Sequence, residues 1–410
     1  MEDIDRLSEK GISTHDLASI LSSLYIQLSN ISQEPSDRPI VLKDVALKLL
    51  KKKLLQNRDD EVLLGLSFCL IDILRIFAPE APYDDAQLCA VFTVIIFQLR
   101  RCSDLSIDSS VRNRIIIMLS SLCVYESFLL LVFTAQNGVP NAQSLVLSFY
   151  DCLITNLRTE RDPDVHLKIG TILHRSIEES TTFPEKVLEL FLYPLLPFAK
   201  AESPTAYLIC QNIMRNRIDQ LLEPVSNFVS KALSMQSLSS VGDGDDEDLS
   251  AESRLLPKYA THYNWTICPS RRPPPNLYLF PFTLLHSIYP LIFELHNISP
   301  EFMTKILPPL LLLLQSTDVE VSIHNAYFID NNCILTRYLQ IRHKTSKLLG
   351  HLLASNQAHY ALKFPHYFST FLRRFSDADR KIRMELINIG ASIFSRKPSL
   401  RPMIEGKYLH

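Results

Sequence analysis

Apolar residues recur at three- and four-residue intervals along nearly the whole chain, the spacing of helices with one buried face. The pattern predicts helices near 15–31, 37–56, 61–77, 85–101, 110–135, 141–157, 164–179, 184–199, 204–218 and 220–236. A second set is predicted near 282–296, 299–315, 342–355, 357–375 and 379–395. Short breakers separate them: Asp59-Asp60, Asn137-Gly138, Asp162-Pro163-Asp164, Phe183-Pro184, Ser203-Pro204 and Ser299-Pro300. Ser or Asp before Pro suits a helix start, because the first helical position needs no backbone donor. The period-two alternation of strands is weak. Helix after helix with short turns predicts an all-α fold, a HEAT-type helical-repeat solenoid (armadillo-like superhelix) with a period of about 40 residues.

Such repeats often open their second helix with an Asp-x-x-Val-Arg-like sequence. Asp60-Glu61-Val62, Asp164-Val165 and Asp318-Val319 carry the Asp/Val part, and Asp377 with Ile382-Arg383 carries a spaced form. The Asp is expected to cap the helix and the Arg to bridge to the next repeat. Composition interrupts the pattern at 237–280. The run Gly242-Asp243-Gly244-Asp245-Asp246-Glu247-Asp248 is followed by Arg271-Arg272-Pro273-Pro274-Pro275. That composition predicts a solvated, disordered insertion. The acidic run lacks the Gly and terminal Glu spacing of a calcium loop, so no metal site is assigned. The organisation read from the sequence is therefore 1–236, an insertion at 237–280, and 281–410.

Composition narrows the function classes. Nine glycines in 410 residues argue against nucleotide-binding folds, which need glycine where backbone approaches phosphate. A formal charge of −2 gives no global basic field for nucleic acid. The eight cysteines form no Cys-x-x-Cys and read as small core residues. The acidic start Met1-Glu2-Asp3-Ile4-Asp5 does not suit a signal peptide, and the apolar runs are too short to span a bilayer, so a soluble intracellular protein is expected. No Walker loop, Gly-x-Ser-x-Gly or His-Glu-x-x-His occurs, and the histidines lack metal-ligand spacing, so no catalytic residue and no enzyme activity are assigned.

The most distinctive stretch is Cys69-Leu70-Ile71-Asp72-Ile73-Leu74-Arg75-Ile76-Phe77-Ala78-Pro79-Glu80-Ala81-Pro82-Tyr83. It reads as a helix stopping in a stiff loop, since each proline fixes its own φ and pushes its predecessor out of the α region. The segment resembles the Pds-five (precocious dissociation of sisters) family of sister-chromatid cohesion proteins, whose N-terminal region carries a helix reading roughly C-L-A-D-I-F-R-I-Y-A-P-E-A-P-Y. The resemblance continues in order through Val165-His166-Leu167, the stretch from Ser287 to Met303, and Phe371-Leu372-Arg373-Arg374-Phe375-Ser376-Asp377.

That resemblance implies a HEAT solenoid without enzyme activity, nuclear and chromatin-associated. It implies partners in the kleisin and SMC subunits of cohesin, a Wapl-type releasing factor and a sororin-type protector, with no membrane. Ala78, Pro79, Glu80, Ala81, Pro82 and Tyr83 would form a docking loop for short peptide motifs. Glu80 would meet a cation of the motif, and Phe77 and Tyr83 would give apolar contact. The densest basic patch is Lys48, Lys51, Lys52 and Lys53, with Lys48 and Lys52 expected on one helical face. It reads either as a solvated face or as an anion-binding patch. Some members of the family bind an inositol polyphosphate near the N-terminus, which the resemblance offers as a candidate ligand without assigning it to particular residues; no other cofactor and no metal is implied.

The family is usually far longer, so the chain is expected to be an N-terminal portion. One further departure is 321–340, which splits a repeat sequence. Joining Glu320 to Ile341 would restore Asp-x-x-Ile-Arg, and the segment is read as a retained in-frame intron. The rival reading of the whole is an unrelated helical-repeat adaptor in transport or trafficking.

Overall fold

The computed structural model describes residues 7, 12–34, 38–104, 106–238, 287–316 and 331–402. Among them every regular element is a helix. Two compact units divide the chain. One takes in Met1–Pro194 and Ala199–Ile213; the other takes in Leu195–Phe198 and the described residues from Met214 onward.

The first unit begins with α1 (Thr14–Ser29), α2 (Leu42–Leu49), α3 (Lys52–Leu55), α4 (Asp60–Phe77) and α5 (Asp85–Arg101). It continues with α6 (Ser109–Tyr125), α7 (Leu129–Gln136), α8 (Ala142–Thr159), α9 (Pro163–Glu178) and α10 (Glu185–Leu192). In the chain, α11 (Pro197–Glu202) and α12 (Pro204–Asn216) follow. The helices form two layers: α1, α4, α6 and α9 pack in succession, and α5 packs on α8 and α8 on α10. Aromatic rings join α8 to its neighbours, with Tyr150 5.6 Å from Phe191, and Phe149 6.2 Å from Tyr150 and 6.4 Å from Phe128.

Side chains tie several of these helices to counterparts one repeat away. Cys69 Sγ donates to Leu21 O, Arg114 pairs with Glu61, Arg175 with Glu126, Arg100 with Asp151, and Arg158 with Glu202. Asn156 donates to Leu99 O and Gln136 to Glu179 O. These rungs join residues 43 to 57 apart.

The second unit holds α13 (Ile218–Leu238), α14 (Ile288–Ile298), α15 (Phe302–Ser316), α16 (Asn331–Ala354), α17 (Tyr360–Lys363), α18 (Pro365–Arg373) and α19 (Arg380–Arg396). Here α14, α16 and α19 form one layer and α13, α15 and α18 pack against it. Rungs within 331–402 join residues 35 and 39 apart. Those crossing 317–330 join residues 56 to 64 apart, and one crossing 239–286 joins residues 83 apart.

Most expected helices occur, but several boundaries differ for physical reasons. The helix expected over 37–56 is two, because Lys51 is extended (φ −61°, ψ 136°). Leu42, Val45, Ala46 and Leu49 share one buried stripe; Leu54 is buried too, but on an unbroken helix it would sit about 140° from Leu49. The break turns it inward. The helix expected over 110–135 bends by 64° at Glu126, whose left-handed φ of 50° is clamped by Arg175 at 2.9 and 3.2 Å. Among the described residues, no single helix is long and apolar enough to cross a membrane. Prolines 194 and 197 split the helix expected over 184–199, and Pro365 splits the one expected over 357–375.

By contrast, α15 runs through Pro308-Pro309. Its neighbour α16 starts at Asn331, well before the expected 342, so the backbone of 331–340 continues into that helix. The expected insertion at 237–280 falls, apart from its first two residues, outside the described residues, as do 321–330 and Asp318-Val319.

Helix caps follow the chemistry with a shift in position. The cap of α4 is Asp59, accepting from Glu61 N and Val62 N at 3.0 and 3.1 Å, while Asp60 pairs with Arg101. The cap of α9 is Asp162, not Asp164, with Pro163 at the first helical position. Cys69, Cys102, Cys152 and Cys210 are buried in the core, and burial pushes the Cys152 and Cys210 thiols up to about 12.

Candidate functional site

The Ala78–Tyr83 loop hangs from the end of α4, a helix buried on nearly every side from Val62 to Leu74. Arg75 fixes its last turn. The guanidinium donates to Asp72 Oδ1 at 2.7 Å, to Ile31 O at 2.9 Å and to Leu28 O at 2.9 Å. Both carbonyls lie where α1 ends, Leu28 O already accepting from Ile31 N at 3.0 Å, so one side chain adds to the bonding of that helix C-terminus and ties it to α4. Gln33 returns a bond to Arg75 O at 3.0 Å. Burial pushes the Asp72 carboxyl up, and the bond to Arg75 and its charge pull it back.

Ala78 leaves the helix at φ −48°, ψ 142°, the extended conformation expected before proline, and the Ala78–Pro79 bond is cis. Pro79 and Glu80 project into solvent; Ala81 and Pro82 are half-buried. Tyr83 turns inward. It is 7% exposed and its hydroxyl donates to Ala46 O of α2 at 3.5 Å. Immediately beyond, Asp84 and Gln87 form a reciprocal capping box at 2.8 and 3.1 Å that starts α5. The loop therefore has two fixed ends and a short exposed tip.

Two expectations change. Tyr83 does not offer apolar surface; it is an anchor, because its ring is taken up by the core next to α2. Phe77 is half-buried beneath the Arg38 guanidinium, 5.2 Å from the ring centre. The lysines are also rearranged. Lys48 lies on α2, Lys51 in the break, and Lys52 and Lys53 on α3, so Lys48 and Lys52 do not share one helical face. Lys51, Lys52 and Lys53 are exposed and Lys48 is half-buried.

The sequence reading missed two polar centres. Asp72 and Arg75 were part of the recognised segment but not singled out; a charged i, i+3 pair on the buried face of an apolar helix is the signal. In the second unit His296 is fully buried, with Nδ1 2.8 Å from Tyr360 Oη and Nε2 2.8 Å from Ser355 Oγ. Its signal is its place on the apolar stripe of Tyr289 and Ile292, at helical spacing. Among the described residues no three metal-ligating side chains come together.

A profile of the sister chromatid cohesion protein PDS5 family matches residues 15–410. The chain belongs to the PDS5 family. It is 22% identical over 399 residues to PDS5 homolog B-B of Xenopus laevis, covering 97% of this chain and 22% of that protein. It is 26% identical over 255 residues to PDS5 of Saccharomyces cerevisiae, covering 61% of this chain and 19% of that protein. The chain thus spans about a fifth of the length of these PDS5 relatives. A solved structure of the Pds5–Scc1 complex superposes with a TM-score of 0.63 at 19% identity, covering 94% of this chain and 49% of that one. This likeness establishes the HEAT-repeat solenoid fold. PDS5 membership displaces the reading as an unrelated transport adaptor.

Proposed function

We propose that this chain is a non-enzymatic scaffold that regulates sister chromatid cohesion in association with cohesin, in the nucleus and on chromatin. Family membership supports the association, and the Pds5–Scc1 complex of the relative supports the kleisin as the partner within the ring, beside the SMC subunits. The finer part of the proposal is that the Pro79–Glu80 tip docks short motifs of a Wapl-type releasing factor or a sororin-type protector.

One observation carries it: Pro79 and Glu80 are exposed while Arg75, Tyr83 and the Asp84–Gln87 box hold both ends of the loop. A preformed tip loses little conformational entropy on binding, and Glu80 offers a carboxylate to a cationic side chain. Lys48, Lys51, Lys52 and Lys53 remain the proposed patch for an inositol polyphosphate.

The test is capture of purified cohesin subunits, Wapl and sororin by the 410-residue chain, with Glu80→Lys and Pro79→Lys in parallel. Glu80→Lys falls on an exposed side chain and should leave the melting temperature unchanged, and the melting of Pro79→Lys is measured beside its capture. Loss of Wapl or sororin capture by about tenfold, with kleisin capture retained, is the expected result. Unchanged capture by folded variants would remove the loop from the mechanism.

A further inference from the structure

Charge is divided unevenly along the chain. Residues 342–402 hold twelve lysines and arginines against Asp377, Asp379 and Glu385, a formal +9, whereas residues 1–341 carry −11. Three of the twelve cations are internal: Arg342 and Arg374 are buried around Asp377, and Lys397 is buried with its amine on Ala358 O. The other nine lie at exposed or half-buried positions with few acids among them.

A subset converges on the layer formed by α16 and α19. Lys344, Lys347 and His351 are exposed at i, i+3 and i+7, one face of α16. Lys347 Nζ lies 2.9 Å from Glu385 of α19, with Lys381 one turn before that glutamate. Arg396 closes the far end of α19 near His351. Burial first lowers the pKa of His351, with Lys347 and Arg396 lowering it further and Glu385 raising it. Glu385 is held below the usual carboxylate range, first by its bond to Lys347. The Glu385 shift registers the cation beside it. From Lys381 to Arg396 the stripe runs about 22 Å along the helix axis. That is too long for a single small phosphate ester, and it lies on an open helix surface.

We propose that Lys344, Lys347, Lys381 and Arg396 form a contact surface for the phosphate backbone of duplex DNA. Duplex DNA carries one negative charge per about 1.7 Å, so such a stripe faces roughly a dozen phosphate charges. Lysine and arginine on helix surfaces neutralise phosphates without reading bases, so the contact is sequence-independent. Membership in a chromosome-cohesion family makes DNA the extended polyanion the surface meets. The binding would be modest, in the range of non-specific contacts, and would add to whatever holds the chain to its protein partners.

The test is fluorescence anisotropy of a labelled duplex of about 30 base pairs against the full 410-residue chain across a salt series. Wild type should bind with an affinity that falls linearly with log salt. Lys344→Gln/Lys347→Gln/Arg396→Gln should weaken binding at least about tenfold and flatten the slope by about 2 to 3. The matched Lys→Arg variant, which keeps the charge, should bind as wild type does; Lys51→Gln/Lys52→Gln/Lys53→Gln should also be unaffected. Unchanged melting of each variant excludes misfolding as the cause. No DNA binding by wild type at low salt, or equal binding by the Gln triple variant, would overturn the proposal. Polyglutamate competing as well as DNA at equal charge would also overturn it, in favour of an acidic protein segment. Loss of DNA binding leaves the Glu80→Lys capture result untouched, so the two readings fail separately.

Discussion

Arg342 and Asp377 face each other across adjacent repeats at 2.9 Å, with side-chain exposures of 5% and 1%. Arg374 approaches the same carboxylate at 3.4 Å and spends a second nitrogen on Leu314 O at 2.6 Å. Asp379 N donates to the carboxylate as well, at 3.0 Å. The family-like Asp377 thus acts less as a cap than as the shared counter-charge of two buried arginines. Asp377→Ala leaves both cations uncompensated and should cost about 3–5 kcal/mol, read as a fall in the urea midpoint.

Arg75 holds α1 to α4 through bonds a lysine cannot reproduce, since an ammonium lacks the planar fork that reaches Asp72 and two carbonyls together. Arg75→Lys should cost about 2 kcal/mol, and hydrogen exchange should rise in α1 before it rises in α8.

His296 makes stability depend on acid. Burial first, then Lys397, pushes its pKa down to about 4, below the ordinary 6.5. The unfolded chain therefore binds the proton more readily, and stability falls as pH drops from 6.5 towards 4, by on the order of 3 kcal/mol. Asp151 opposes this. Burial pushes its carboxyl up to about 6, so protonation below that pH favours the folded state. Urea titrations of wild type and His296→Gln at pH 7.0 and 4.5 separate the two. The variant should lose less stability on acidification, and an identical loss would contradict the assignment.

Two helix glycines should answer alanine in opposite ways. A Cβ at Gly350 would lie 2.5 Å from Ile389 Cγ2 and 3.2 Å from Phe371 Cε2, so Gly350→Ala should destabilise by about 1–3 kcal/mol. At Gly170 the nearest atom is Ile209 Cδ1 at 3.5 Å, ordinary contact. Gly170→Ala should therefore be neutral or gain up to about 1 kcal/mol from helix propensity, seen as unchanged or raised melting temperature.

Much of the fold was legible because a one-faced helix writes its buried stripe directly into the residue spacing. The breaks were less legible. Whether the helix stops before Leu54 depends on which side its neighbours cover, and the kink at Glu126 depends on Arg175, 49 residues away. The loop itself was readable from Pro79 and Pro82, whose effects are local. Tyr83 was misjudged because an aromatic beside an exposed tip can face either way, and only the position of α2 decides. The basic segment escaped notice because a whole-chain charge of −2 averages an acidic majority with a basic end.

The rungs of the first unit also bear on how the chain acquires its structure. Each closes between residues some 43 to 57 positions apart, and none waits for a distant terminus. At ordinary synthesis rates of about 5–20 residues per second, the partner of each rung emerges a few seconds after the group it bonds. With such local topology, every helix pair can dock on the pair already formed. The first unit can therefore be built in order during translation, with only its newest helix exposing an unpaired apolar face.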